Sequence, residues 1–219
     1  MFIGHAAVAF AAKPLAPRTS LALLLAAAFW VDMVWPLFLL LGIERVKIDP
    51  GNTAFTPLDF LHYPWTHSLA AALGWSVLFG LACLRSGRRV ALILGLLVFS
   101  HWVLDAVTHR PDLPLWPGSE AMIGLGLWNS VPATIAVECA MFAAGVWLYA
   151  RSAPSQDRVG SWAFWGLIAF LAVAYLGNVF GPPPPGETAI AIAGLAGGIL
   201  FTAWAWWADR HRGAKTPKM

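Results

Sequence analysis

Residues 90–117 read VALILGLLVFSHWVLDAVTHRPDLPLWP. The part up to Thr108 is apolar enough to cross a bilayer, for which about 20 residues suffice. His101, Asp105 and His109 sit in or at the end of that stretch at i, i+4 and i+8, so a helix puts them on one stripe. Two imidazoles and a carboxylate are a usual metal-ligand set. Ionisable groups inside a membrane span are costly to place there, so they point to function first.

The 219 residues are 59% hydrophobic and 11% charged, against roughly 25% charge in a soluble domain. Mean hydropathy is +0.67. These values predict an all-α integral membrane protein built as one domain over 1–219. Cys83 and Cys139 both lie in apolar runs, which predicts buried thiols rather than a disulfide framework. The net charge of +3 and pI near 9.1 would suit a nucleic-acid binder. There is, however, no basic, aromatic-rich groove for nucleic acid. Membrane lipids are the partner class indicated.

Spans are predicted at roughly 19–41, 66–84, 90–108, 130–150, 161–180 and 187–208. The breaks between them are polar or turn-rich: IERVKIDPGNTAFTPLDFLHYPW, RSGRR, RPDLPLWPGSE, RSAPSQDR and GPPPPG. The proline run is a stiff turn that cannot continue a helix. With six spans both ends share a side. That side would hold Lys13, Arg18, Arg85, Arg88, Arg89, Arg151, Arg158, Arg210, Arg212, Lys215 and Lys218, which is 11 of the 14 basic residues. Only Arg45, Lys47 and Arg110 fall opposite. Lysine and arginine concentrate on the cytoplasmic side, so both termini are expected there, with a basic tail over 209–219 that meets anionic headgroups. Tyr63, Trp65, Trp116, Trp128, Trp206 and Trp207 near span ends fit interfacial belts. The opening MFIGHAAVAFAAKPLAPR is too short to span. It could be part of a signal peptide, but no clear small-residue cleavage site follows. A short helix dipping into the bundle from the cytoplasmic side is the expectation.

Helical rise brings the polar groups to overlapping depths. At 1.5 Å per residue, His101 lies about 18 Å beyond Arg89, Asp105 about 24 Å, and Asp32 about 21 Å beyond Arg18. Glu138 lies about 14 Å below the opposite face, and His5 about 12 Å up from the cytoplasmic side. His67 begins the second span, with His62 just before it. The candidate metal ligands are therefore His5, Asp32, His62, His67, His101, Asp105 and His109. Asp32 and Glu138 are the carboxylates that could take part in catalysis. Each has a bland alternative. Asp32 or Glu138 alone could simply hydrogen-bond a neighbouring helix. His62 could be an interfacial loop residue, and His109, before Arg110 and Pro111, a solvated helix end. His101 with Asp105 could be a structural pair.

The segments GHAAVAF, WVDMVWP, HYPWTHSL and SHWVLDAVTHRPDLPLWP, in that order, resemble the YdjM-like group of bacterial inner-membrane proteins, described as membrane-bound metal-dependent hydrolases. That family's pattern has Gly-His near the start, Pro-Asp-x-Asp-His, His-Arg-Gly-x-Thr-His-Ser, and His-x-x-x-Asp before a Trp-Pro. The matching positions here are His5, Asp32, His62, His67, His101 and Asp105. The resemblance covers roughly residues 1–117 and implies an inner-membrane location and a divalent metal. Residues 118–208 carry no recognised motif. Val34 and Trp35 replace an aspartate and a histidine of the pattern, and Tyr63 and Pro64 replace its Arg-Gly. His109 is an addition. The ligand order is also similar to that of bacterial zinc-dependent phospholipase C. That similarity would put Asp32, His67, His101 and Asp105 around one ion, with His5 and Asp105, and His109 and Glu138, at further ions.

Imidazole with carboxylate suits zinc, with iron and manganese as alternatives. Such a site with an open position activates water for hydrolysis. A lipid phosphoester or ester near the external leaflet is the expected substrate. Two other classes fit the same residues: an ion- or proton-coupled transporter, and a structural metal-binding membrane protein with loop 42–65 as a partner surface. Serine and cysteine nucleophiles and a dinucleotide fingerprint find no support.

Overall fold

The computed structural model describes residues 1–213. Lys215 and Lys218, and with them most of the expected basic tail, lie outside the described residues. The fold is all-α apart from a few short strands. In chain order the helices are α1 Ile3–Ala12, α2 Leu21–Ala28, α3 Trp30–Leu40, α4 Pro64–His67, α5 Leu69–Ala82, α6 Arg88–Thr108, α7 Val131–Ser152, α8 Arg158–Phe180 and α9 Glu187–Arg210. Strands β1 Arg45–Ile48 and β2 Leu58–His62 form an antiparallel hairpin; β3 Leu113–Pro114 and β4 Met122–Ile123 form another. Helix starts are set by side chains that take up orphan amides. Ser20 accepts from Leu23 N, Ser68 from Ala71 N, and Asp157 from Gly160 N at 2.7 Å.

Four described helices, α6 to α9, are long and apolar enough to cross a membrane, or five if α2 and α3 count as one broken span. This is compatible with a multi-pass membrane protein. The expected first span, 19–41, is bent by 56° between α2 and α3. Phe29 leaves helical geometry there with φ −102° and ψ 11°. The broken pair nevertheless runs antiparallel to α9 from end to end. Leu21 N donates to Asp209, Phe29 packs on Phe201 with ring centres 4.9 Å apart, and Val46 N donates to Glu187. The expected second span, 66–84, yields only the 14 residues of α5. Ser68 is extended, with ψ 155°, so it separates α4 from α5 and takes three residues off the run.

Outward surfaces are apolar: Leu92, Leu96, Val173, Leu176, Ile192 and Ile199 are all exposed. In a water-soluble monomer such a surface would be a liability. Trp65, Trp116, Trp206 and Trp207 are exposed as a belt requires, but Tyr63 and Trp128 are buried. The cysteines also differ from expectation. Cys83 is half-buried and Cys139 exposed, both free among the described residues. Glu138 points inward, so its neighbour, 100° around the helix, faces out.

The short first helix is inside the bundle, as its sequence suggests. Eight of its ten residues are buried. It runs parallel to α7, and Gly145 permits this contact, since a Cβ there would collide with the carbonyl of Ala7. Its far end is pinned by Lys13, buried at 4% exposure, whose Nζ donates to Asp209 at 2.9 Å and to Thr19 O at 2.9 Å. Tyr149 also donates to Asp209.

Candidate metal centre

Four chain segments converge where α1 begins. His5 is in the first turn of α1, Asp32 in the first turn of α3, and His67 ends α4. His101 and Asp105 lie one turn apart on α6, as the i, i+4 spacing demands. The bend at Phe29 turns the start of α3, and Asp32 with it, towards α6. His5, His67, His101 and Asp105 are all buried at 4% exposure or less. The Asp32 side chain keeps 36% of its accessibility and is the donor nearest open space.

The donor atoms form a closed ring. His101 Nε2 is 3.1 Å from Asp105 Oδ2 and 3.5 Å from Asp32 Oδ1. His67 Nε2 is 3.6 Å from Asp32 Oδ1 and 3.8 Å from Asp105 Oδ2. A tetrahedral zinc with bonds of 2.0–2.1 Å holds its donors about 3.3–3.4 Å apart. The ring is near that size. Two overlapping groups, His5–His101–Asp105 and Asp32–His67–His101, could hold a metal ion. Asp105 joins them, because its second oxygen, Oδ1, lies 3.2 Å from His5 Nε2. The amino group of Met1 reaches the same oxygen at 2.7 Å. The rings of His5 and His101 stack 3.7 Å apart.

Hydrogen bonds on the outer side fix the tautomers. His101 Nδ1 lies 2.8 Å from the carbonyl of Ala28, so it must carry the proton. Thr66 donates its hydroxyl proton to Glu44 at 2.6 Å, so His67 Nδ1, 2.7 Å from that oxygen, donates to it. In its neutral form each imidazole would therefore turn an unprotonated Nε2 towards two carboxylates. Lone pair against carboxylate is repulsive unless a cation lies between them. Although Asp105 is within 3.1 Å, His101 Nε2 has no hydrogen-bond partner among the described residues, because no neighbour lies along its N–H direction. A proton on that nitrogen would thus serve poorly, whereas a metal ion fits the donors and their orientation.

Sequence reading placed His5, Asp32, His67, His101 and Asp105 together, and the structure brings these five to one point. Three other candidates stand elsewhere. His62 is exposed at the end of β2, paired with Arg45, next to the equally exposed Leu61. Glu138 is fully buried but serves α1: its Oε2 accepts from Phe2 N at 3.0 Å and Gly4 N at 3.1 Å. It seats the helix that carries His5 and is in neither ligand group. His109 follows the last residue of α6, where its Nδ1 meets Asp112 at 2.9 Å. It forms no ion site with Glu138 among the described residues. Tyr63 donates to the same Asp112 oxygen at 2.9 Å. Burial and the Asp112 charge hold its hydroxyl well above the usual phenol range, so it stays a donor. Arg110 bridges Asp112 and Asp59, tying this corner to β2.

Glu44 and Thr66 went unnoticed in the sequence. Glu44 is wholly buried, accepts from Trp65 N at 2.8 Å and Thr66 N at 2.9 Å, and so holds the turn that aims His67. Its one signal is a lone acid between apolar Ile43 and a strand. Asp32, His67, Asp105 and His109 lie on the wall of a cavity of about 780 Å³. The hairpin roofs it through Thr53, Phe55 and Leu58, and Phe55 N bonds Trp128 O at 3.0 Å. No family model, curated protein or solved structure matches the chain.

Proposed function

We propose that the protein is a membrane-embedded, metal-dependent hydrolase acting on a lipid phosphoester or ester near the external leaflet. The observation that carries this reading is the pair of Nε2 atoms, on rings whose Nδ1 already has a partner, set against two carboxylates on the wall of a large cavity. Asp32, His67, His101 and Asp105 Oδ2 would hold one ion, and His5 with Asp105 Oδ1 would take part in a second position. Zinc suits these donors best, with iron and manganese as alternatives. A bound ion would supply Lewis-acid polarisation of a phosphoryl or acyl oxygen and lower the pKa of water towards about 7. Asp32, the accessible donor, would accept a proton from the attacking water. His109, backed by Asp112, would hydrogen-bond the substrate from the far side of the same cavity. The basic-residue asymmetry supports cytoplasmic termini, an inner-membrane location and a site in the outer half.

A second reading has its own support. Four protein donors fill a tetrahedral ion, and closed coordination is the mark of a structural site. The ion would then only staple α1, α3, α4 and α6.

Elemental analysis of the detergent-purified protein tests the centre. Wild type should carry stoichiometric metal, and His101→Ala and Asp105→Ala should lose it. If wild type holds none even after reconstitution, both readings fall. Lipid turnover that disappears with the metal selects the hydrolase. Thermal destabilisation on metal removal, with no turnover of any phospholipid or ester offered, selects the structural site.

A further inference from the structure

The cavity extends well beyond the ionic centre, and three helices each give it one face. From the α2–α3 break onward these are Phe29, Asp32, Met33 and Pro36, spaced i, i+3, i+4 and i+7. From α8 they are Phe170, Ala174, Gly177 and Asn178, at i, i+4, i+7 and i+8. From α9 they are Ile190, Ala193, Gly194, Gly197, Gly198 and Phe201, again one helical stripe. Only Asp32 is ionisable on these faces. The polar end is thus the candidate metal centre, and the remainder is a mainly apolar trough in which alanine and glycine alternate with larger apolar side chains.

The trough opens because α8 and α9 part. At one end they touch closely. Trp204 Nε1 donates to Ala163 O at 2.9 Å, and a Cβ on Gly160 would collide with His211. Towards the other end, a Cβ on Gly177 or on Gly197 would meet nothing within 4 Å. The proline turn between the helices contributes Pro182, Pro183 and Pro184 to the cavity wall. Such a run is stiff and acts as a spacer. The outer flanks of the opening, Val173, Leu176, Ile192 and Ile199, are exposed and apolar.

The geometry points to the gap between α8 and α9 as a lateral portal, and to the trough behind it as the seat of one hydrocarbon chain of a membrane lipid whose phosphate or ester lies at Asp32. This rests on the reading of the centre as one that acts on a lipid. The volume is within the 300–1,000 Å³ range of ligand sites. A soluble polar substrate would leave the apolar faces of three helices without a partner. The motif-poor half of the chain thereby gains a role: it accepts the substrate's tail.

The test is photocrosslinking of the full chain in phosphatidylethanolamine vesicles. These contain a minor fraction of phosphatidylglycerol with a diazirine midway along one acyl chain. In wild type, adducts are expected at Met33, Phe170, Ala174 and Ala193 as well as at outward Val173 and Ile199. Gly197→Phe fills the trough from a position with room for a side chain. It should lower the inner adducts several-fold relative to the outer ones, and Gly177→Leu should act in the same direction. Gly74→Phe, at an exposed glycine of α5 with equal room, should not. Adducts on outward residues only in wild type, or inner adducts unchanged by both fillings, would overturn the slot. Metal is measured on the same samples. Inner adducts in a metal-free wild type would sink the hydrolase reading and leave the slot. Bound metal without inner adducts would do the reverse.

Discussion

Two imidazoles at this centre are oriented from behind, and that support should be measurable. Thr66→Val leaves every proposed ligand in place but takes away the hydroxyl that turns His67. Loss of such partners typically costs 10–100-fold in metal affinity. Chelator competition should show a loss of that size with the helical circular dichroism retained. His62→Ala is the contrasting variant: it should keep full metal content, because His62 is exposed on β2. The sequence made the donors legible through chemistry that spacing alone expresses. A histidine and an aspartate four apart in an apolar run must share a face. The supports were not legible. The acceptor for His101 is a backbone carbonyl, Ala28 O, which leaves no trace in residue type, and Glu44 meets Thr66 across 22 positions. His62 misled because a hairpin hidden in a polar loop carries it to an exposed strand end, away from the helices.

Helix ends decide which elements reach the site. Glu138 takes up two amides at the start of α1, so Glu138→Ala strands two N–H groups and should destabilise the protein by about 1–3 kcal/mol each. Glu138→Gln keeps an acceptor and should lose less. Thermal unfolding of both variants checks the order, and hydrogen exchange should show α1 opening first in the alanine variant. Ser68→Ala removes the cap of α5 and should cost about 1 kcal/mol. At this scale hydropathy located the apolar stretches but not their interruptions. Apart from Thr19, Ser20 and Asp32 the stretch 19–41 is apolar, yet it breaks at Phe29, and Pro36 cannot donate to the carbonyl of Asp32 one turn back. A composition window averages over such local events. The breaks coincide with the centre: Asp32 follows the break at Phe29, and His67 precedes that at Ser68.

For the molecule as a whole, the end opposite the hairpin is held by a buried charge pair. Asp209→Ala leaves the Lys13 ammonium without its carboxylate in a dry setting and should cost about 3–5 kcal/mol, readable as a lowered denaturation midpoint. A chain cut after residue 117 keeps His5, Asp32, His67, His101 and Asp105. It should nonetheless bind metal poorly, because Glu138 and Asp209, which seat α1, are absent. Such a division of labour could not be seen in the motifs, which all lie in the first half. The same contacts impose an order of events during synthesis. Helix α1 leaves the ribosome well before its anchor, since Lys13 and Asp209 are 196 positions apart. At about 5–20 residues per second, His5 waits on the order of 10–40 s for its scaffold. On the proposed reading, metal can be loaded only after synthesis has passed Asp209.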